Sequence, residues 1–415
     1  MSWPTPRAHS PKISTGHTNS SPRNRYAHRH KTQRRLYRLR CLSGLLPTSA
    51  IGWETDIEGF WQAKVDLGKC IDCSLCLKVC PLINAAALNA CNSEFGSPDV
   101  LASYNTDPDI RMISTSGGVF SALAEKVLAD GGFIGGAIWT DDFQARHILS
   151  DDPEDLRRIR GSKYFQSDAT GIYRSVREAL KTGRKVLICG TPCQMAGLRS
   201  FLRRDYDNLI IVDFVCGNIN SPKLFKKYVE SLEVRYGARM LSYHPKNKGY
   251  GGWHNFAFKA TFANGKEYVR NRTKDAFTRC FIGTHIGSRP CCFECKFKTL
   301  PRVADITIGD FWGIENVDPD WDSPMGTSLV LLNNNKGRAF YKSLGDSVAS
   351  NAEPLEGAIA GNPHLLHNSA PGKIDRKQFY ELLDEKGFDY VMRKLGNNKG
   401  PLINRIIRKL RSFIK

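Results

Sequence analysis

The chain lacks any long apolar run, and this excludes one class of function at once. Nowhere in its 415 residues do eighteen consecutive apolar residues occur, the length a bilayer-spanning helix needs. The first residues also lack the apolar core of a secretion signal, so a cytoplasmic location is expected. Acidic residues are missing from the first 53 positions, which carry ten Lys or Arg. The formal net charge of +19 is therefore concentrated there, and the other 362 residues carry only +9. A nucleic-acid partner would rest on that tail alone, and no specific nucleic-acid binding is expected. No Walker loop, HExxH run or Ser/His/Asp arrangement stands out, so phosphoryl transfer, zinc proteolysis and triad hydrolysis are not indicated.

What is present is a globular chain rich in cysteine. Hydrophobic residues make up 41%, enough to bury cores and to exclude disorder over most of the length. The length predicts two or three domains. Thirteen cysteines are too many to ignore, yet the chain is too long for a small disulfide-stapled scaffold. Residues 1–50 have no period and read as a disordered basic tail, and 51–95 are cysteine-rich. From residue 100 onward helices alternate with strands. Val119–Ala129 has helical spacing; Phe133–Trp139, Lys185–Cys189 and Leu209–Val215 read as buried strands, and Pro222 opens a helix reaching about Tyr236. That alternation predicts a mostly parallel sheet. Asn264-Gly265 marks a hairpin, and the last seventy residues read as mainly helical.

Cys70-Ile-Asp-Cys73-Ser-Leu-Cys76-Leu-Lys-Val-Cys80-Pro81 is a C-x2-C-x2-C-x3-C-P run. The short spacings let one loop wrap three thiolates around a 4Fe-4S cubane, while the fourth cysteine ligates the other cluster of a two-cluster ferredoxin. A zinc knuckle pairs two CxxC units across a longer gap and fits less well. The partner run should lie upstream, where only Cys41 stands. Leu36, Leu39, Leu42 and Leu45-Leu46 permit codons that, read one nucleotide later, give a second C-x2-C-x2-C-x3-C before Pro47. Residues 1 to about 46 therefore read as a frameshift product, and resequencing that stretch is the test. The alternative is a genuine basic arm or transit peptide. As written, Cys80 has no cluster to complete, and the other three form at best a labile three-thiolate site.

Cys292 and Cys295 form a CxxC, while Cys193 and Cys216 follow two of the buried strands. Strand ends of one parallel sheet converge, so these four are candidates for a further cluster. Cys189 and Cys280 read as inert core thiols, and Cys291 as a bystander beside Cys292. The loop Thr115-Ser116-Gly117-Gly118 opens a helix and suits a phosphate or flavin edge, or is an ordinary cap. Gly131-Gly-Phe-Ile-Gly-Gly136 lies between helix and strand, the wrong order for a dinucleotide turn, and reads as a helix stop. Asp305-Ile-Thr-Ile-Gly-Asp310-Phe-Trp312-Gly is either a tight turn or a ring-stacking site. The C-terminal Pro401–Lys415 is a basic amphipathic helix, suited to peripheral contact with an anionic membrane surface or to docking on its own domain.

Together these motifs resemble the coenzyme F-420 hydrogenase/dehydrogenase beta-subunit family over roughly residues 53–345. The likeness rests on Asp56–Phe60, Ser114–Val119, Gly161-Ser-Lys-Tyr-Phe-Gln-Ser167, Gly190-Thr-Pro-Cys-Gln194 and the Asp305–Gly313 segment. It implies an α+β or α/β multidomain fold: a ferredoxin-like 4Fe-4S module (51–95), N-terminal (96–225) and C-terminal (226–345) beta-subunit domains, and a helical tail (346–415). It implies FAD and 4Fe-4S clusters as cofactors, with F-420 or another organic acceptor as substrate. Ser116, Gly117, Gly118, Lys163, Tyr164, Gln166, Ser167 and Thr191 become flavin-binding candidates. Cys193, Cys216, Cys292 and Cys295 become ligands of an internal cluster. Where the family commonly has Cys-His-Gly, this chain has Cys216-Gly217-Asn218, which puts the role of that histidine in doubt.

The implied function is an FAD- and iron–sulfur-dependent oxidoreductase working with a redox partner, a ferredoxin or a hydrogenase/dehydrogenase subunit. The alternative is a non-catalytic electron-transfer subunit of a larger complex; the long basic C-terminal tail resembles that of family members found in bacterial exopolysaccharide gene clusters, and this likeness implies a link to exopolysaccharide biosynthesis.

Overall fold

The structure, a computed structural model, describes residues 50–397. Cys41, the leucines of the frameshift argument and the C-terminal basic helix lie outside the described residues. The frame is one eight-stranded mixed sheet. Its strands are β3 (Asp99–Asn105), β4 (Phe133–Trp139), β5 (Ala145–Ser150), β6 (Val186–Gly190), β7 (Leu209–Phe214), β11 (Ile306–Asp310), β12 (Ser328–Leu332) and β13 (Val348–Ala352), in the order β13-β3-β12-β11-β7-β6-β4-β5. Only β4-β6, β6-β7 and β7-β11 pair in parallel. The mostly parallel sheet expected from the alternation is thus a four-strand parallel centre with antiparallel flanks. The flanking pairs reach across long stretches of chain, which local alternation does not encode. β13 also departs from the helical reading of the tail, and the sheet takes strands from all three ranges 96–225, 226–345 and 346–415.

The central strands are covered on both faces, which is why they read as continuous apolar runs. Val186 and Ile188, with Leu209 and Ile211, pack against Ile172–Lys181 and Pro192–Leu202. Their alternates Leu187, Ile210 and Val212 pack with Leu123 and Val127 of Val119–Ala129 on the other face.

A second unit packs the helix Pro222–Tyr236 and the C-terminal helices Arg376–Lys386 and Phe388–Asn397 around a three-stranded antiparallel sheet. Its strands are β8 (Met240–Asn247), β9 (Ala257–Phe262) and β10 (Glu267–Asn271), with Asn264-Gly265 in the expected hairpin. Residues 51–95 form a two-stranded hairpin of β1 (Ile51–Thr55) and β2 (Trp61–Val65), followed by short helices at Leu75–Lys78 and Ala85–Asn89.

Candidate functional site

The carboxyl ends of β6, β7 and β11 open into a cavity of about 240 Å3, where ligands of open α/β sheets bind. Its walls include Ser116, Gly118, Lys163, Tyr164, Ser167 and Thr191. It joins an outer cleft of about 1490 Å3 through Thr115, Arg160, Gly161, Ser162 and Lys163, which line both. Six of the eight flavin candidates therefore line one cavity. Gln166 and Gly117 are not among its lining residues. Gln166 is buried and spent on the Trp61 peptide, accepting from its N–H at 2.9 Å. Gly117 is a packing glycine: a Cβ there would lie 2.5 Å from the Ser103 carbonyl.

The loop before Val119–Ala129 is held from several sides. Ser116 Oγ donates to the Thr327 carbonyl at 2.9 Å, and the Ser162 N–H donates to Thr115 Oγ1 at 3.0 Å. Lys248 Nζ donates to the carbonyls of Arg111, Ser116 and Met325 at 2.5, 2.8 and 2.6 Å. Gly118 has φ of 89°, a left-handed conformation that glycine adopts without a Cβ clash.

Lys163 is occupied too. Its ammonium lies 2.7 to 3.1 Å from the carbonyls of Arg158, Ile159, Arg160 and Gly161, capping the end of the helix Pro153–Ile159. Burial pushes this ammonium down to about 7. Its first role is thus to satisfy carbonyls that a helix end leaves open.

Asp310 settles the reading of its segment. Lys246 Nζ and Trp253 Nε1 both donate to Asp310 Oδ1, at 2.5 and 2.7 Å. Trp312 stacks on Trp253 with centroids 4.7 Å apart and planes 2° from parallel. The stacking partner is the protein's own ring. Asp305 is fully buried and paired with Arg199 at 2.9 Å.

A directed hydrogen-bond chain crosses the cavity wall. A carbonyl only accepts, so His147 Nε2 carries the proton it shares with Cys189 O at 3.2 Å, which leaves Nδ1 to accept from Ser167 Oγ at 2.8 Å. Ser167 Oγ accepts from Gln194 Nε2 at 2.9 Å, and Gln194 Oε1 accepts from Thr191 Oγ1 at 2.9 Å. Thr191 Oγ1 lies 3.2 Å from Cys193 Sγ. Burial pushes His147 down to about 4, so the imidazole is neutral. The sequence assigns no role to Gln194 of the Gly190–Gln194 motif and does not point to His147, because a lone histidine on a strand carries no local signal.

The scattered cysteines lie near enough to feel one another's charge. Burial and then the charge of Cys295 push the Cys193 thiol up to about 12, with Cys291 adding to it. Cys216 is pushed up to about 12 by burial, then by Cys193 and Cys295. The Cys292 thiol is raised by its hydrogen bond to Cys291, by burial, and by the charges of Cys291 and Cys216. Thiols crowded this way ionise together only beside a compensating positive charge, which bound iron supplies, so this donor set fits a cluster. Lys298 adds one cation there: its Nζ donates to Gly217 O at 2.6 Å and senses Cys216, Cys295 and Cys292. Cys291 lies beside the same group, hydrogen-bonded to Cys292 and sensed by Cys193. Cys280 is a buried core thiol, while Cys189 lies in the cavity wall. Beside Gly217, a Cβ would meet His364 Cδ2 at 3.1 Å. Where the resemblance leads one to expect a histidine, one arrives from a distant segment.

The N-terminal run is built differently. Cys73 is exposed, Cys70 and Cys76 are half-buried, and Cys80 is buried. Asp72 and Ser74, either side of Cys73, take left-handed φ of 51° and 55°, a conformation that costs non-glycine residues energy. Cys76 is raised by burial and by the charges of Cys70 and Cys73. Among the described residues no three ligands meet at single-ion distance; a cubane holds its sulfurs farther apart than a lone ion does.

Residues 100–172 match the family model for the N-terminal part of the coenzyme F420 hydrogenase/dehydrogenase beta subunit, and residues 183–357 match the model for its C-terminal part. No curated protein matches the chain. Among solved structures, a chain of the xenon-derivatized F420-reducing [NiFe] hydrogenase complex from Methanosarcina barkeri is 21% identical. That match covers 73% of this chain and 92% of the other, with a TM-score of 0.43. No helix among the described residues is long and apolar enough to cross a membrane. The chain belongs to the coenzyme F420 hydrogenase/dehydrogenase beta-subunit family, and that family makes it an oxidoreductase of the electron-transfer subunit type.

Proposed function

We propose that the chain binds FAD in the cavity at the sheet's carboxyl edge and a 4Fe-4S cluster at the adjoining cysteine group. In this reading it passes electrons between a redox partner and an organic acceptor, F-420 or another. The observation that carries the reading is the convergence of Cys193, Cys216, Cys292 and Cys295 beside a cavity whose wall includes Thr191 and Cys216. A cluster exchanges single electrons, and a flavin converts single-electron to two-electron transfer with an acceptor.

The chain's own residues supply position and charge. Lys248 holds the Ser116 carbonyl, and Ser116 and Gly118 line the cavity. Tyr164 lines it and stacks on Phe281. Lys298 places a cation beside the thiolates. Cys73 of the N-terminal run is exposed, and with a fourth ligand for its cubane this run would be the point of electron entry from a partner protein.

Anaerobic purification with flavin, iron and sulfide quantified, followed by a screen of F-420 and nicotinamides, tests the reading. Bound flavin with turnover of one acceptor is expected. Clusters without flavin would instead make the chain a carrier, and protein holding neither would overturn the proposal.

A further inference from the structure

Thr191 has one hydroxyl proton and two acceptors within reach. Its Oγ1 lies 2.9 Å from Gln194 Oε1 and 3.2 Å from Cys193 Sγ. Gln194 Oε1 does not depend on that proton, because the Thr191 backbone N–H also donates to it at 3.0 Å. While Cys193 is a thiol, its own S–H can donate to Thr191 Oγ1, and the hydroxyl proton stays with Gln194. A cluster ligand is a thiolate and has no proton to give. The hydroxyl then turns to the sulfur, and Gln194 keeps its backbone donor, so the exchange leaves no buried group without a partner. Position favours the same outcome. Cys193 is the second residue of the eleven-residue helix Pro192–Leu202, whose N-terminal end favours negative charge.

We infer that Thr191 is a positioning residue for electron transfer: its hydroxyl donates to the Cys193 thiolate and sets the reduction potential of the internal cluster. This rests on the cluster reading above and goes beyond it. Hydrogen bonds to cluster sulfurs raise the potential, because the reduced cluster carries more negative charge for the donor to stabilise. Gln194 and Ser167 hold the threonine in register with neutral His147, so the donor is aimed before any metal arrives.

The test uses full-length protein purified anaerobically, carrying Cys73→Ser so that only the internal cluster reports. Thr191→Val removes the hydroxyl, and Thr191→Ser keeps it. Redox titration followed by EPR should show the Val variant's potential displaced downward by about 59 mV, a tenfold change in a one-electron equilibrium. The Ser variant should stay with the parent. Resonance Raman should show an Fe–S stretch that shifts in D2O in the parent and the Ser variant, and not in Val.

Thr191 also caps its helix, and a role limited to capping would lower thermal stability and iron content in Val. It would leave the potential of assembled clusters and the D2O shift unchanged, and that outcome overturns the inference. Parent protein without iron overturns the cluster reading itself, and the Thr191 role with it.

Discussion

The two cysteine groups solve one problem in opposite ways. Cys70, Cys73, Cys76 and Cys80 come from eleven consecutive residues, and their loop is partly exposed, with left-handed residues on either side of Cys73. The internal group comes from the end of β6, the end of β7 and the Arg289–Cys295 turn. Burial is the leading cause of the raised Cys193 and Cys216 thiols and a contributor at Cys292. A contiguous loop brings its own thiols together at the surface, although in the two-cluster reading it supplies only three ligands to one cubane and looks to an upstream run for the fourth. A group gathered from three segments exists only once the sheet has formed, and it is sheltered by it.

The strongest way to break this comparison is to remove one ligand from each group. Cys295→Ser should empty the internal site, with most of its iron, sulfide and visible absorbance lost. Cys73→Ser should leave that absorbance in place. Equal losses in both variants would mean the groups are not independent.

Reactivity should separate them next. In folded, metal-free protein at pH 8, iodoacetamide should modify the exposed Cys73 first. Cys193 and Cys216, pushed up to about 12 by burial, should lag by about 100-fold or more, because the thiolate is the nucleophile. Peptide mass mapping against time reads this directly, and comparable rates would remove the contrast in burial.

The internal ligand set can be sharpened by one residue. Cys292→Ser should lower iron content as Cys295→Ser does, and Cys291→Ser should not. Cys291 hydrogen-bonds Cys292 and is sensed by Cys193, so the reverse result would move the fourth ligand by one position and keep the site.

The smallest effect concerns acid. His147 titrates at about 4 in the fold against 6.5 unfolded. Between these values the unfolded chain binds the extra proton, so stability rises with pH and is lost as pH falls from about 6.5 to about 4. The shift corresponds to at most about 3 kcal/mol. Urea unfolding of metal-free protein across that range should show the slope, and His147→Gln should flatten it. An unchanged slope would place the acid sensitivity in other groups.

Much of this was readable from local pattern. The helix at Val119–Ala129 and the strand at Phe133–Trp139 fall where periodicity put them, because a strand or helix is specified by neighbours a few residues apart. The hairpin at Asn264-Gly265 is legible for the same reason. The mixed pairing of the sheet was not, since β3, β12 and β13 are joined by residues hundreds of positions apart. Lys163 shows a second limit. A conspicuous lysine in a motif reads as a ligand donor, and its ammonium turns out to cap a helix end, a geometry that needs the turn of the chain to be seen. Gln166 and Gly117 likewise share a motif with cavity residues and face other tasks.

By itself, the sequence determined the family, the order of most elements and the cysteine spacing of the N-terminal run, because each rests on residues adjacent in the chain. Only the tertiary structure decided that Cys193 and Cys216 come within reach of the Cys292–Cys295 turn, that Thr191 is tied through Gln194 and Ser167 to His147, and that His364 packs beside Gly217. Those meetings follow from the order of strands in the sheet and from the packing of a distant segment against their ends, and no spacing along the chain records either.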